Sequence, residues 1–600
     1  MNSRHSFLLP FLLLPLLAWS APIDVPQPAG YADVHVYGEL KNRLKLNFDR
    51  LEESKYQPSH LFLSMQESGG WPGDTEGRTI LALVEDARST RRQPRYLKEI
   101  IRQLPAHLNA SGYMGPVIER QLNEQQLSGN GWMMRGLAAY ADWQKELQQI
   151  APQYYDAEGV QIALRTLKST VRSLYLPNLD LYGRYPVSLG KRPKNAGGAS
   201  GTTVTTQNGW QLSTDIGCVF IGLDGLVDAY RVLHEQAPAD GLTAAESKDV
   251  CQVIETLISK FEAMDLLAVK AQTHASLTAM RALIRYAELT GKTRYIALAR
   301  KRYDLYLHNG MTENYENYNW FGRLDSWTEP CAIVDSYLLA LKLWQHTLDG
   351  RYLSLAERIY YNGLCHTQRR NGGFGLDNCP GLASHTPLLQ VHMPEAHWCC
   401  TMRGAEGLSE ASRSLVFQRH NEIWLTAIRE SEMTIRLEGG AFKFGVSTSY
   451  PYVASTRVDI SSNDAGLVTL HLPVPQWVKS FKLMLNEKVI NAKAENGFVT
   501  VKRKFETNDR VAIIYYYDVS EEPAINPRNT ARGARRYFFG PFQLGCKTDS
   551  PVEMPQNPRW RREGALHWYV DGTQLDLTPV YHEMNQHIWA PGSGKQQILF

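Results

Sequence analysis

The sequence predicts a multidomain α + β protein, an (α/α)6 barrel followed by C-terminal β-sandwich domains. Three observations predict it: helical periodicity from about residue 60 to 365, a two-helix unit that recurs within that stretch, and a change to period two after about residue 416. Composition agrees with a large globular chain, at 600 residues with 43% hydrophobic, 10% aromatic and 21% charged content. Its 45 Gly and 30 Pro are too few for a low-complexity or collagen-like chain. Lys+Arg 64 against Asp+Glu 61 leaves +3, so no field of one sign covers the surface and no nucleic-acid partner is expected.

The helical elements come first. Thr79–Val84, Trp132–Tyr140, Phe220–Tyr230, Ala279–Tyr286 and Ala332–Trp344 place apolar residues three and four apart, so each buries a wide face. Gly291-Lys-Thr-Arg-Tyr-Ile-Ala-Leu-Ala299 and Gly350-Arg-Tyr-Leu-Ser-Leu-Ala356 share a turn, an Arg-Tyr pair and an apolar step. Arg294 and Arg351 lie 57 residues apart, the length of one helical hairpin with its loops, and Arg95-Tyr96-Leu97 is a fainter copy. Such hairpins stack as an open solenoid or close into a toroid. The long Gly/Ser/Thr-rich segment Ser188 to Thr214 favours the closed form, with loops at one mouth.

The strands follow. Glu422–Ile428, Val468–Leu472, Phe481–Leu485, Phe498–Phe505 and Arg510–Tyr517 alternate in polarity and are separated by turn signals such as Asn496-Gly497 and Asn508-Asp509. The expected division is a catalytic barrel over 21–415, a β-sandwich over 416–520 and a second small β-sandwich over 521–600, with Glu522 to Arg532 as the seam. One larger β-domain is the alternative. Ahead of these, Arg4 precedes the apolar run Phe7 to Trp19, and Ala18 and Ser20 suit a peptidase. Residues 1–20 are therefore expected to be a signal peptide cleaved near Ser20/Ala21, which makes the protein secreted or periplasmic. A membrane anchor needs about 18 or more apolar residues, and this run with two prolines is shorter; the mature chain is expected to carry no membrane span.

Eight cysteines are too sparse for a disulfide scaffold, and Cys399 and Cys400 are adjacent, a spacing that strains a mutual bridge. A metal uses them better. Glu329-Pro-Cys331 opens a strong helix, and Cys399-Cys400 follows 68 residues later. Three thiolates and a carboxylate make four ligands, the number zinc takes in a tetrahedral site, while calcium and magnesium prefer oxygen. Spacing alone leaves a purely structural zinc staple equally open. Trp71 and Asp74, in a Gly-punctuated loop with Glu76, offer an aromatic face and a short carboxylate for gripping sugar; Asp74 or Thr75 as a helix N-cap is the other reading. Trp132 either lines the pocket or fills core.

Thr328-Glu-Pro-Cys-Ala332 and His397-Trp-Cys-Cys400 resemble the Glu-Thr-Cys-Ala and Cys-Cys signatures of glycoside hydrolase family 127, the β-L-arabinofuranosidases. Leu472-Pro-Val-Pro-Gln-Trp477, Asn508-Asp-Arg-Val511, Phe539-Gly-Pro541 and Leu575-Asp-Leu-Thr-Pro-Val-Tyr581 resemble that family's sandwich motifs in order. The resemblance implies Zn2+ held by Glu329, Cys331, Cys399 and Cys400, with Cys399 as thiolate nucleophile forming a thioglycosyl intermediate. It implies a glutamate acid/base 16 residues before the metal-binding glutamate, which here is Glu313, although the family's Gly-Glu pair is missing and Glu316 is the local rival. It places His274 against the substrate.

Two further family histidines are replaced, by Trp132 and Cys218. The resemblance implies a zinc-dependent retaining exo-glycosidase acting on an oligo- or polysaccharide of plant or algal origin, with β-L-arabinofuranoside the leading glycone; the altered pocket makes another sugar, such as 3,6-anhydrogalactose, the first alternative. A carbohydrate-binding protein with a structural zinc, and a lyase or unsaturated-uronyl hydrolase on the same toroid, are the readings from other classes.

Overall fold

A computed structural model describes residues 23–67, 70–198, 203–236, 240–381, 387–581 and 590–600. The expected signal peptide lies outside the described residues. Six helices line the centre: Asp74–Thr90 (α1), Glu124–Ile150 (α2), Val219–His234 (α3), Thr273–Thr290 (α4), Pro330–Thr347 (α5) and Cys400–Arg413 (α6). Each packs on the next, and α6 returns to α1 to close the ring. All five periodic runs named above fall on these helices.

Contacts at matching heights make the neighbours parallel. Thr79 Oγ1 donates to Met402 Sδ at 2.9 Å near the start of α1 and α6, and Ser89 and Ser409 hydroxyls meet at 2.9 Å near their ends. Across α4 and α5, Thr278 reaches Asp335 at 2.8 Å and Lys342 reaches Glu288 at 2.9 Å further along. Parallel inner helices gather their N-termini at one mouth. The return elements form the outer layer, among them the helices Gly38–Leu51, Ala157–Thr170, Ala244–Ala263, Arg294–Asn309 and Arg351–Ile359. The recurring Arg-Tyr pair marks where an outer helix begins: each arginine lies over its own tyrosine, at 4.6 Å for Arg294 and 4.8 Å for Arg351.

Glycine lets inner helices approach closely. A Cβ added to Gly225 of α3 would sit 2.1 Å from the carbonyl oxygen of Gly131 in α2, so backbone meets backbone there with no room for a side chain.

The period-two region forms sheets as expected. A five-stranded sheet contains Val416–Arg419, Glu422–Leu425, Leu467–Pro473 and Phe498–Lys504, and a seven-stranded sheet contains Ser431–Leu437, Gly440–Thr448, Ser455–Asn463, Ser480–Leu485, Lys488–Ile490 and Arg510–Tyr516. Each sheet is completed from the other end of the chain, by Gln27–Pro28 pairing with 417–418 and Val34–Val36 pairing with 431–433. Two- and three-residue strands carry no readable period, which is why this pairing escapes sequence reasoning. A third sheet, from Val519–Pro523 to Asp576–Pro579, includes Arg535–Phe539 and Phe542–Lys547 and takes Gln596–Gln597 at its edge. None of the eight cysteines is joined in a disulfide. Among the described residues no helix is long and apolar enough to cross a membrane.

Gly225→Ala should force α2 and α3 apart at a cost of about 1–3 kcal/mol, typical of overpacking a closed core. Calorimetry of the full chain should show a lowered unfolding temperature. An unchanged transition would mean the helices have room to separate.

Candidate active site

At the mouth, α5 and α6 begin side by side. Pro330 occupies the first turn of α5, where its missing N–H costs nothing, and puts Cys331 in that turn with Glu329 as N-cap. Cys399 is the N-cap of α6 and Cys400 its first residue. The four ligand atoms of Glu329, Cys331, Cys399 and Cys400 lie within 4.8 Å of one another. Cys399 and Cys400 sulfurs are 3.3 Å apart, and those of Cys331 and Cys400 are 3.7 Å apart. Tetrahedral zinc with sulfur at about 2.3 Å sets its sulfurs about 3.8 Å apart, so the spacing suits it. Oε2 of Glu329 is buried with no hydrogen-bond partner among the described residues, a spare lone pair at the place a metal would use.

The three sulfurs are not equivalent. Cys331 and Cys400 are fully buried, whereas Cys399 is partly exposed. Burial pushes the Cys331 and Cys400 thiols well up. Hydrogen bonds from those two thiols outweigh burial at Cys399 and, with the Arg78 charge, hold its thiol at about 5. Arg78 Nη1 lies 3.4 Å from Cys331 Sγ, while its Nε and Nη2 grip both oxygens of Asp74, at 2.7 and 3.1 Å. The N-termini of α5 and α6 add partial positive charge. His274 stands 3.4 Å from Glu329 through Nδ1 and 3.4 Å from Asp335 through Nε2. Burial works against ionising Glu329, but the His274 and Arg78 charges hold its carboxyl below the usual range.

A second buried set adjoins the first. Thr328, next to Glu329, exchanges two 2.8 Å hydrogen bonds with the backbone of Asp377. Asp377, His366 and Glu316 bring ligand atoms within 4.8 Å of one another.

Comparison with known proteins follows this geometry. A β-L-arabinofuranosidase GH127 catalytic-domain model matches residues 261–413, and a GH127 middle-domain model matches 422–516. A GH127 β-L-arabinofuranosidase from Geobacillus stearothermophilus T6 superposes with a TM-score of 0.68 at 13% identity, covering 94% of this chain and 99% of that one. A GH127 β-arabinofuranosidase gives 0.67 at 13% identity, covering 96% and 97%. The chain is GH127-like. No curated protein matches it. The family matches support a β-L-arabinofuranosidase-like glycosidase acting on carbohydrate, and the solved structures support the shared fold.

Within this GH127-like chain the other expected site residues fall as follows. Asp74 opens α1 without capping it, since Gly73 is the N-cap and no side chain caps that end; its carboxylate serves Arg78 instead. Trp71 is half-buried in the loop just before α1. Trp132 has no exposed surface and lies under three guanidiniums, Arg78 at 4.0 Å, Arg135 at 4.6 Å and Arg403 at 4.9 Å, with His274 5.8 Å away. His274 is likewise buried among carboxylates. Glu313 is fully buried where the last sheet meets the barrel. It accepts the backbone N–H of Ile525 at 2.6 Å and of Asn526 at 3.0 Å, and the Asn529 amide at 2.8 Å. Both its oxygens are thereby engaged.

Arg78, His366 and Asp377 escape sequence reasoning, since their partners lie far away in the chain. One signal was available for the axis: Arg135 is the single charge inside its apolar helical run, and Asp335 shares its run only with Lys342. Asp335 takes Arg281 and Arg403 at 2.5 Å each, and Glu406 takes Arg135 at 2.7 Å and Arg281 at 2.8 Å.

In metal-free protein, iodoacetamide should alkylate Cys399 ahead of Cys331 and Cys400. Its rate should rise through about pH 5 and level off above, as the exposed thiol ionises. Peptide mass spectrometry against pH checks this; a midpoint above pH 8 would refute the assignment of the low-pKa thiol.

Proposed function

We propose that the chain is a retaining exo-glycosidase, secreted or periplasmic, that removes a furanoside or related sugar from plant or algal polysaccharide, with β-L-arabinofuranoside the leading glycone. The observation that carries it is the asymmetry of the sulfur cluster: one thiol is accessible and easily ionised while two are buried beside it. Glu329, Cys331, Cys399 and Cys400 would hold zinc, which when bound supplies the positive charge that keeps the sulfurs ionised. The chain's own residues do the rest. Cys399 attacks the anomeric carbon, and the bond to the leaving oxygen breaks as that oxygen takes a proton. Water then displaces the sulfur with help from the same group acting as base.

Two carboxylates compete for the proton. Glu313 has both oxygens engaged by three N–H donors and sits 3.7 Å from Arg536. Glu316 follows Tyr315, whose φ of 63° lies in the left-handed region. Glycine is the usual residue there, so the family's Gly-Glu pair fits the backbone at Tyr315-Glu316. Burial, then the Asp377 charge, push the Glu316 carboxyl well up, as an acid catalyst requires. We therefore assign the acid/base role to Glu316 and a domain-joining role to Glu313. The replacement of a pocket histidine with Trp132, which offers no surface to a sugar, makes another glycone such as 3,6-anhydrogalactose the first alternative.

Hydrolysis of aryl furanosides and pyranosides by the zinc-loaded protein tests the reading. Cys399→Ser should abolish turnover, and Glu316→Gln should cost about 10²–10⁴-fold in kcat/KM. Glu313→Gln should lower thermal stability and leave most of the activity. Full activity in Cys399→Ser would exclude the thiolate mechanism, and a dead Glu313→Gln of normal stability would return the acid/base role to Glu313.

A further inference from the structure

Glu316, His366 and Asp377 come from three separate segments: the loop after the outer helix Arg294–Asn309, the residue after the turn Tyr360–Cys365, and the strand Leu376–Asn378. All three are fully buried. Nε2 of His366 stands 3.2 Å from Asp377 Oδ2 and 3.6 Å from Glu316 Oε1. Glu316 Oε2, Asp377 Oδ2 and both ring nitrogens of His366 have no well-aligned hydrogen-bond partner among the described residues. The remaining carboxylate oxygens are served, Glu316 Oε1 by Asn314 Nδ2 at 2.8 Å and Asp377 Oδ1 by Arg369 Nη2 at 2.6 Å. Thr328 and the Cys379 thiol complete the polar surroundings of Glu316.

Two carboxylates this close cannot both ionise away from water, so the set must hold a proton between them. Arg369 decides which one keeps it. Its guanidinium favours charge on Asp377 and leaves the proton to Glu316. The same guanidinium, itself fully buried, argues against a divalent cation here, because that cation would face an uncompensated positive neighbour.

We propose that Asp377 and His366 are positioning residues that keep Glu316 protonated in the resting enzyme and receive its carboxylate when it has acted. The inference rests on the reading of Glu316 as the acid/base. In the first step the C–O bond breaks as the C–S bond forms, and the Glu316 proton passes to the leaving oxygen. His366, carrying its proton on Nε2, then donates a hydrogen bond to the new carboxylate and keeps that proton. In the second step water loses a proton to Glu316 as its oxygen displaces sulfur, so the chain ends with the protons it began with.

The test is the pH profile of kcat/KM for the zinc-loaded full chain on the aryl glycoside it hydrolyses fastest. Asp377→Asn removes the like charge and frees Arg369 to face Glu316, so the basic limb should move about one pH unit or more toward acid while the acid limb stays. His366→Ala should slow an alkyl glycoside at least tenfold more than a nitrophenyl glycoside, which needs no acid, and His366→Gln, which retains an N–H, should fall between Ala and wild type. If Glu316→Gln is inactive but neither limb nor leaving-group dependence moves in these variants, this inference fails and the acid/base reading stands. If Glu316→Gln is active, that reading fails first. A second metal per chain by elemental analysis, lost in His366→Ala, would make the cluster a metal site and overturn the proposal. Should Asp377→Asn not fold, infrared difference spectra of wild type against Glu316→Gln read the carboxyl directly: a protonated band persisting to neutral pH supports the proposal, and ionisation by pH 5 refutes it.

Discussion

An ionised sulfur is expensive to keep in a protein interior, and the parallel ring of inner helices sets three thiols where that cost is reduced. Six helix N-termini face one mouth, and the two that carry the thiols, α5 and α6, are neighbours. Cys331, Cys399 and Cys400 therefore lie in or at first turns, where unsatisfied N–H groups favour anions by about 0.3–1 kcal/mol each. Arg78, arriving from α1, adds a full charge 3.4 Å from Cys331. Had the helices alternated in direction, one of these two would present its carbonyl end to the sulfurs, and the same residues would repel the charge they are placed to hold.

The support beneath the site is electrostatic. His274 touches Glu329 on one side and Asp335 on the other. Asp335 is in turn fixed by Thr278, Arg281 and Arg403. Burial raises the cost of its charge, yet the Arg403 and Arg281 guanidiniums hold its carboxyl far below the usual range. Glu406 carries the chain of pairs to Arg135 on α2, and Asp224 links Arg135 to Arg285. Breaking one member of such a network leaves a buried charge unpaired, a loss of about 3–5 kcal/mol, so the ligands inherit rigidity from pairs that run down the barrel axis. Trp132 belongs to this support: its ring lies against three guanidiniums.

The helices and the sulfur cluster were legible because their signals are local. Apolar residues at three and four give five of the inner helices, and Glu329-Pro-Cys331 announces the start of α5; α6, which opens at Cys400, carries none of those runs. The positions missed are those whose meaning depends on distant chain. Arg78 is an ordinary helical arginine until α5 brings Cys331 to it across 253 residues. His366 and Asp377 sit in segments without a motif. The first sandwich borrows Gln27–Pro28 and Val34–Val36 from before the barrel, and strands this short show no alternation.

Glu313 and Glu316 illustrate how near in sequence two roles can lie. Counting back from Glu329 selects Glu313, but counting assumes a loop of fixed length. The backbone supplies a second ruler, because the left-handed conformation of Tyr315 is one that a glycine before a glutamate would adopt without strain. Tyr315 adopts that conformation at a cost of order 1–3 kcal/mol. Its side chain offsets the cost: Arg358 donates to its hydroxyl at 2.9 Å, Phe538 meets its ring edge-on, and Arg536 lies over it at 5.4 Å. Arg536 and Phe538 belong to the last sheet, and the segment that grips Glu313 from 525 to 529 lies between that sheet's first two strands. The C-terminal domain therefore holds this loop at Glu313 and Tyr315 together, while Glu316 packs against His366 and Asp377 instead.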